Sequence, residues 1–363
     1  MIFFDNAATT PCLFPPEAEN WGNPSSPHAR GLSSERLIKN AREILSGILN
    51  GAPDEIFFTS GGTESNNLAI LGTALRHRRK GGHIIATPYE HPSVLQPLAR
   101  LKEEGFRVTL APVSEWQGLI DEDTLLVSVS QVHNETGGVH PVSEIAESVK
   151  KINPRVTVHV DGAQGFCKEA ADLSQVDSYA FSAHKIHGAA GVGGLMVRRG
   201  VKLVPLMYGG GQQNGLRPGT ENVPGIVSLT RAAEALSARR EEYFSRVSAV
   251  RSVIAHTGLP DVWVNTLPGS TSPYILSMSF LGVRGETLTH ALSGQGIYIS
   301  TGSACNSRKK ENQPLSALGL EKNRAESSVR FSFSHLNTME EAETVRDALI
   351  KTVTQLRNVR RAQ

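Results

Sequence analysis

The stretch Ser178-Tyr179-Ala180-Phe181-Ser182-Ala183-His184-Lys185 places a lysine at the end of a short apolar run that is typical of a buried strand. Glycines follow at positions 188, 191, 193 and 194. A lysine at the end of a buried strand, beside a hydroxyl and an imidazole, is suited to forming a Schiff base with an aldehyde. Because most lysines simply lie at the protein surface, this interpretation depends on partners elsewhere in the chain.

A second apolar run, Val158-His159-Val160, ends in Asp161. A carboxylate at this point can hold a pyridinium nitrogen protonated, and the charged ring of pyridoxal phosphate then accepts electrons from a substrate carbon. The two strand ends therefore predict two of the groups that this cofactor needs.

A third segment predicts a site for the cofactor's phosphate. Residues 55–59 are typical of a short buried strand and lead through Ser60-Gly61-Gly62-Thr63 into a helical apolar pattern. Backbone N–H groups at a glycine turn and the dipole of the helix that follows both favour an anion. We also expect Thr63 to cap this helix and to donate its hydroxyl to a phosphate oxygen.

Composition excludes several classes of function. The 37 Lys and Arg nearly balance the 35 Asp and Glu, so neither a nucleic-acid partner nor an acidic membrane surface is indicated. We expect no signal peptide and no membrane-spanning segment. The three cysteines are too scattered for a disulfide framework or a metal site. These features together predict a cytoplasmic protein.

Short apolar runs alternate with helical patterns through most of the 363 residues. Predicted strands lie at 83–87, 107–113, 125–132 and 156–161, with helices at 33–50, 92–104 and 143–151. This alternation favours an α/β fold with a mostly parallel sheet, whose strand ends collect ligands. One long helical pattern at 225–254 is followed by strands at 275–280, 297–300 and 328–334 and by helices at 286–293 and 339–356, which predict a separate α+β cluster.

The order and spacing of further motifs point to one family. They are Phe4-Asp5-Asn6-Ala7-Ala8-Thr9-Thr10, Gly22-Asn23-Pro24-Ser25-Ser26, Thr59 to Asn67, Glu90-His91-Pro92-Ser93-Val94, His133-Asn134-Glu135-Thr136-Gly137, Gly209-Gly210-Gly211-Gln212, Arg217 to Val223, Gly302-Ser303-Ala304-Cys305 and Arg330-Phe331-Ser332-Phe333. With the two strand ends above, the chain resembles the pyridoxal-phosphate-dependent cysteine desulfurases of the class V aminotransferase type.

The resemblance implies the type I fold of pyridoxal-phosphate-dependent transferases. A large, mostly parallel-sheet domain is then expected over residues 15–250. A small α+β domain is expected over 1–14 and 251–363, carrying the loop of Cys305. The resemblance also implies a homodimer, in which Thr220 reaches the phosphate of the neighbouring subunit.

The resemblance assigns roles around the cofactor ring. Lys185 binds the cofactor covalently and later moves the α-proton of the substrate, while Asp161 pairs with the ring nitrogen. Gln164 and Asn134 lie near the phenolic oxygen of the ring, and His91 stacks on its face and takes part in catalysis.

Further roles concern the phosphate and the substrate. Arg330 binds the substrate carboxylate with its planar guanidinium, and Asn134 lies beside the substrate. The residues expected to contact the phosphate are Gly62, Thr63, Ser182 and His184.

Cys305 is expected to receive the sulfur of L-cysteine as a persulfide. Polar neighbours and the nearby Arg308 and Lys309 favour its thiolate. The charged stretch 306–313 departs from the family's usual sequence, whereas Cys12 and Cys167 have apolar neighbours and are interpreted as inert.

Two alternatives stay open. The first is a selenocysteine lyase or another class V lyase or aminotransferase with the same cofactor pocket. The second is a non-catalytic partner in a sulfur-transfer assembly. For the leading interpretation the sulfur acceptor is equally open, between an iron–sulfur scaffold, a tRNA-thiolation enzyme and a dedicated carrier.

Overall fold

The computed structural model describes residues 1–19, 21–78, 81–301 and 313–361, so Cys305 lies outside the described residues. The strands are β1 Ile2–Phe3, β2 Ile56–Thr59, β3 His83–Ala86, β4 Arg107–Leu110, β5 Thr124–Ser130, β6 Thr157–Asp161, β7 Ser178–Ser182, β8 Gly193–Val197, β9 Val262–Asn265, β10 Ile275–Phe280, β11 Ile297–Tyr298 and β12 Ser328–Ser332. The helices are α1 Ala29–Ile48, α2 Gly62–Arg76, α3 Pro92–Glu103, α4 Trp116–Leu119, α5 Val142–Ile152, α6 Val223–Ala238, α7 Arg240–Ala255, α8 Gly285–Ser293, α9 Gln313–Ala317, α10 Lys322–Glu326 and α11 Met339–Arg361.

The chain divides into two compact units. The larger unit comprises Pro11–Gln131 and His140–Ala238, and the smaller comprises Met1–Thr10, Val132–Val139 and the described part of Arg239–Gln363. The domain boundaries expected from the sequence, 15–250 against 1–14 with 251–363, stay a prediction. In the compact units, residues 132–139 belong with the terminal segments, and the boundary between the larger and the smaller unit falls after Ala238.

The larger unit contains a seven-stranded sheet in the order β2-β8-β7-β6-β5-β3-β4. All neighbouring pairs from β7 to β4 are parallel, while β8 runs antiparallel to both β7 and β2. The predicted α/β fold with a mostly parallel sheet is therefore confirmed. Helices cover the sheet: Ile70 of α2 and Leu98 and Leu101 of α3 pack with Ile84 and Leu126 in a buried cluster.

The smaller unit is an α+β unit with two short sheets. Strands β9, β10 and β12 form an antiparallel sheet in the order β12-β10-β9, and β1 pairs in parallel with β11. Phe4 packs in one buried cluster with Met278 of β10, Phe331 of β12 and Leu349 of α11. The N-terminal residues thus belong to the same core as the C-terminal helix.

The expected long helix at 225–254 is wrong. The structure has two helices, α6 and α7, because Arg239 leaves helical geometry with φ −124° and ψ 22°. Apolar residues continue at helical spacing on both sides of this break, so the periodicity alone could not reveal it.

Sheet register brings three strand ends together in the larger unit. Thr59, the last residue of β2, pairs with Gly193 of β8, and Gly193 pairs on its other side with Ser182, the last residue of β7. One strand further, Asp161 of β6 pairs with Ala180. Because β2, β6 and β7 run in the same direction, the segments that follow them all begin at one edge of the sheet.

Candidate active site

The turn between β2 and α2 forms a cradle for an anion. Gly61 has φ +151°, a conformation that side chains disfavour, and it is the N-cap of α2. The first N–H groups of the helix, from Gly62 onward, have no partner within the helix itself. A Cβ at Gly62 would lie 3.7 Å from Ala163 Cβ and 3.8 Å from Ser182 Cβ, so the helix start faces two other strand ends.

Thr63 does not cap this helix, contrary to the expectation. It is the second helical residue, its side chain is exposed, and the N-cap residue Gly61 makes no side-chain capping bond. The turn places glycine at the cap because the backbone there adopts a positive φ.

Ser182 provides an unused polar group beside this turn. Its side chain is 2% exposed, and its Oγ has no hydrogen-bond partner among the described residues. A buried hydroxyl without a partner is rare in folded proteins. A phosphate held at the N-terminus of α2 would supply the missing acceptor, so the residues present fit a phosphorylated cofactor.

Asp161 ends β6 as a buried carboxylate that is held from two sides. Its Oδ1 accepts a hydrogen bond from the N–H of Ala163 at 3.0 Å, and its Oδ2 accepts one from Asn66 Nδ2 at 2.7 Å. Gln164 is buried in the turn that follows. The carboxylate that sequence reasoning assigned to a ring nitrogen thus has a fixed orientation.

His91 is the N-cap of α3. Its Nδ1 accepts hydrogen bonds from the backbone N–H of Ser93 at 3.1 Å and from Ser93 Oγ at 2.7 Å. The residue is exposed, yet the protein around it lowers its pKa by desolvation and through Lys185, against the opposing effect of Asp161. The ring stacking expected of His91 stays a prediction.

Lys185 ends the 3₁₀ turn Ala183–Lys185 that follows β7 and is half-buried. Burial, Lys185 and Lys168 together lower the pKa of His184 to about 4, so this imidazole is neutral at neutral pH. Burial and the charge of Lys185 lower the pKa of Lys168 to about 7. Both lysines therefore lie close enough to His184 to affect its titration.

Sequence reasoning missed several polar residues of this region, namely Asn66, Ser93, His159, Lys168 and Glu90. Glu90 is buried, and burial together with the charge of Asp161 raises its pKa to about 7. Asn66 lies in the stretch from Thr59 to Asn67 and His159 in the strand that ends at Asp161, but helical and strand periodicity assign both to the core. A polar residue at a core position was the only available signal.

Arg330 and Asn134 come together in the smaller unit. Arg330 Nη1 donates to the carbonyl oxygen of Asn134 at 2.9 Å and to Glu135 Oε1 at 3.2 Å, while Nη2 donates to Asp5 Oδ1 at 3.1 Å. Its Nε is buried and has no hydrogen-bond partner in the described part of the chain. The two carboxylates, which sequence reasoning missed, orient the guanidinium and leave a donor for an anionic group.

Thr220 is exposed on a loop of the larger unit, and hydrogen bonds hold the residues just before it in place. Arg217 Nε donates to Glu64 Oε1 at 2.9 Å, and the N–H of Gly219 donates to Gln212 Oε1 at 3.1 Å. Glu64 lies in the first turn of α2, directly after Thr63. The loop that carries Thr220 is therefore tied to the helix that begins at the anion cradle.

Comparisons with known proteins identify the family of the chain. The profile of the family "Aminotransferase class-V" matches residues 2–345. A "NifS/IcsS protein homolog" of Lactobacillus delbrueckii subsp. bulgaricus is 42% identical, over 94% of this chain and 94% of that protein. "Cysteine desulfurase IscS 1" of Archaeoglobus fulgidus is 36% identical, over 99% of this chain and 98% of that protein. The solved structure of a NifS-like protein superposes with a TM-score of 0.91 at 36% identity, over 98% and 99% of the two chains.

The chain belongs to the class V aminotransferase family, within its group of cysteine desulfurases. Membership of this family implies the use of pyridoxal phosphate. In the part of the chain that the structure describes, no group of three or more His, Cys, Asp or Glu is arranged to hold a metal ion. Among those same residues, no helix has both the length and the apolar character needed to cross a bilayer.

Proposed function

We propose that this protein converts L-cysteine to L-alanine with pyridoxal phosphate bound at Lys185, and that it keeps the sulfur on Cys305 as a persulfide. The observation that carries the proposal is the register of Thr59, Gly193 and Ser182, which sets the anion cradle beside the strand ends that carry Asp161 and Lys185. The full-length similarity to proteins named cysteine desulfurases supports the substrate.

The residues of the larger unit would hold the cofactor. Ser182 Oγ and the first N–H groups of α2 would bind the phosphate, Asp161 would pair with the ring nitrogen, and the amine of Lys185 would form the covalent link. When bound, pyridoxal phosphate supplies an electron sink for the bond that breaks at the substrate's α-carbon.

The chain's own groups would perform the remaining steps. Lys185 Nζ takes the proton from the α-carbon, and Arg330 binds the substrate carboxylate. The thiolate of Cys305 attacks the sulfur of L-cysteine; the carbon–sulfur bond breaks and a sulfur–sulfur bond forms. The balance is L-cysteine plus the Cys305 thiol giving L-alanine plus the Cys305 persulfide.

The sulfur then leaves Cys305 for an acceptor protein of iron–sulfur cluster assembly or of tRNA thiolation, and we expect this to take place in the cytoplasm. A thiol reductant can replace the acceptor in solution, because a thiolate attacks the outer sulfur of a persulfide and releases sulfide.

A homodimer is part of the proposal. Thr220 is exposed on a loop that is fixed by Arg217 and Glu64, and Met207 and Tyr208 nearby in sequence are 45% and 86% exposed. Large exposed apolar side chains beside a fixed loop are typical of a surface that a second subunit covers.

The proposal is tested by incubating the purified protein with L-cysteine and a reductant and measuring alanine and sulfide. We expect Cys305→Ser to bind cofactor and L-cysteine but to form alanine at least about 100-fold more slowly, since no thiolate takes the sulfur. The matched control is Cys12→Ser, which changes an exposed thiol in the larger unit and should keep wild-type rates. Alanine formation by Cys305→Ser at the wild-type rate would instead identify a simple lyase.

A further inference from the structure

Behind Asp161, three buried polar side chains extend its hydrogen bonds in a continuous set. Asn66 Nδ2 lies 2.7 Å from Asp161 Oδ2, and Asn66 Oδ1 lies 3.0 Å from His159 Nε2. His159 Nδ1 lies 2.9 Å from Ser178 Oγ. Asn66, His159 and Ser178 are each no more than 1% exposed. Such complete pairing of buried polar groups is rigid, because each broken bond leaves an unsatisfied group.

The chemistry of each group fixes the direction of its hydrogen bond. A carboxylate only accepts, so the amide nitrogen of Asn66 must face Asp161. The amide oxygen of Asn66 then faces His159, whose Nε2 must donate, and His159 Nδ1 accepts from the hydroxyl of Ser178. Burial lowers the pKa of His159 to about 4, which leaves the single ring proton that this arrangement needs.

The amide nitrogen of Asn66 carries a second N–H, which is connected to His91 through the hydroxyl of Ser93. Asn66 Nδ2 also lies 2.9 Å from Ser93 Oγ, and this hydroxyl lies 2.7 Å from His91 Nδ1. Because His91 Nδ1 also accepts the backbone N–H of Ser93, the hydroxyl must donate to it as well. The neutral ring of His91 therefore carries its proton on Nε2.

We propose that Asn66, held by His159, is a positioning residue that orients both Asp161 and His91 toward the cofactor ring. The inference rests on the proposed placement of pyridoxal phosphate. Rotating the Asn66 amide by half a turn would set its oxygen against Asp161 and remove its donor to Ser93. The N–H of His159 prevents this rotation, because it would then face the amide N–H₂.

Helix α2 connects this set to the anion cradle. Gly62 and Asn66 are four residues apart and so lie on the same helical face, one turn from each other. The helix therefore fixes the distance between the phosphate end of the site and the amide that holds Asp161.

The test compares variants of His159 with matched variants of His83. His83 is also a buried histidine on the same sheet and bridges two hydroxyls, those of Thr124 and Thr109, but among the described residues no hydrogen bond joins it to Asn66. The variants are His159→Leu, His159→Gln, His83→Leu and Asn66→Asp. The measurements are the dissociation constant for pyridoxal phosphate added to apoprotein, the visible absorption band of the bound cofactor, and the melting temperature of the apoprotein.

We expect Asn66→Asp and His159→Leu to weaken cofactor binding by about 10- to 100-fold, the range of one or two hydrogen bonds to charged groups, and to shift the visible band. His159→Gln should restore both, because its amide N–H can donate to Asn66 Oδ1. His83→Leu should lower the melting temperature without changing the affinity or the band.

Two results would overturn the inference. In the first, His159→Leu behaves like His83→Leu, with a lower melting temperature but wild-type affinity and band, which defines a purely structural histidine. In the second, His159→Leu does not fold and Asn66→Asp keeps the wild-type affinity and band. Failure of the wild-type protein to bind pyridoxal phosphate at all would instead remove the proposed function, and this inference with it.

Discussion

The hydroxyl of Ser182 is buried without a hydrogen-bond partner among the described residues, and in the proposed function it binds the cofactor's phosphate. A buried hydroxyl with no partner raises the free energy of the folded chain by about 1–3 kcal/mol. Such a residue is retained where a ligand supplies its partner. Its place at the end of β7, in register with Gly193 and Thr59, puts this residue beside the start of α2, where the proposed phosphate would bind.

This gives Ser182→Ala two effects of opposite sign. We expect the free energy of unfolding of the apoprotein to rise by about 1 kcal/mol, and the affinity for pyridoxal phosphate to fall by about 10- to 100-fold. Denaturant unfolding of the apoprotein and titration with the cofactor measure the two effects.

Ser128 of β5 provides the control for Ser182. Its Oγ is also buried without a hydrogen-bond partner among the described residues, but it lies two residues before the end of its strand. Ser128→Ala should therefore stabilise the apoprotein without changing cofactor affinity. Equal affinities of Ser182→Ala and wild type would exclude the hydroxyl from the phosphate site.

At the scale of elements, most strands and helices of the larger unit could be predicted because the spacing of their apolar residues corresponds to the faces that are buried. Strand β5 is buried along almost its whole length and α5 has one apolar face, so both were found within two residues of their ends. The ends themselves differ because capping and turn geometry, such as the positive φ of Gly61, decide them locally.

Strand β8 was missed because its first residues, Gly193 and Gly194, are typical of a loop. The structure shows why glycine is needed inside this strand. A Cβ at Gly193 would lie 2.5 Å from the carbonyl oxygen of Phe181, and a Cβ at Gly194 would lie 2.4 Å from the ring of Phe181. Close approach of two buried strands, which no local pattern reports, selects these residues.

Gly194→Ala should consequently destabilise the protein by about 1–3 kcal/mol, because the new methyl group displaces the Phe181 ring in a packed core. Gly47→Ala is the matched control: Gly47 is exposed in α1, and a Cβ there meets nothing within 4 Å. That variant should stabilise by about 0.5–1 kcal/mol, since alanine favours the helix. Denaturant unfolding of both proteins decides the matter, and a stabilising Gly194→Ala would contradict the argument.

At the scale of the whole molecule, the groups proposed to contact the cofactor could be predicted better than the groups that hold them in place. Asp161 and Lys185 follow apolar runs and stand out, since charged residues are rare at strand ends that are buried. Asp5 and Glu135, which hold Arg330, come from distant parts of the sequence and meet only through the fold of the smaller unit. Contacts between distant segments depend on tertiary structure, which periodicity does not encode.

The proposed homodimer makes a specific prediction about which subunit Thr220 serves. If Thr220 binds the phosphate of the neighbouring subunit, a mixed dimer of a Thr220→Ala chain and a Lys185→Ala chain contains one site with both residues and one site with neither. If Thr220 acted within its own chain, neither site of the mixed dimer would be complete. The same mixed dimer is therefore expected to have one complete site in the first case and none in the second, so its activity distinguishes the two roles of Thr220.

We expect the Lys185→Ala homodimer to be inactive and the Thr220→Ala homodimer to bind the cofactor about 10-fold more weakly, because one charged hydrogen bond is lost. The mixed dimer, purified through two different tags and assayed at limiting cofactor, should recover roughly half of the wild-type activity, since closed two-fold symmetry gives two equivalent sites. A dimer of Lys185→Ala with wild type is the control for one intact site per dimer. A mixed dimer no more active than expected from Thr220→Ala alone would refute the shared site, because a residue that serves its own chain cannot complete the site of another. A cofactor-replete and active monomer by light scattering would refute it as well.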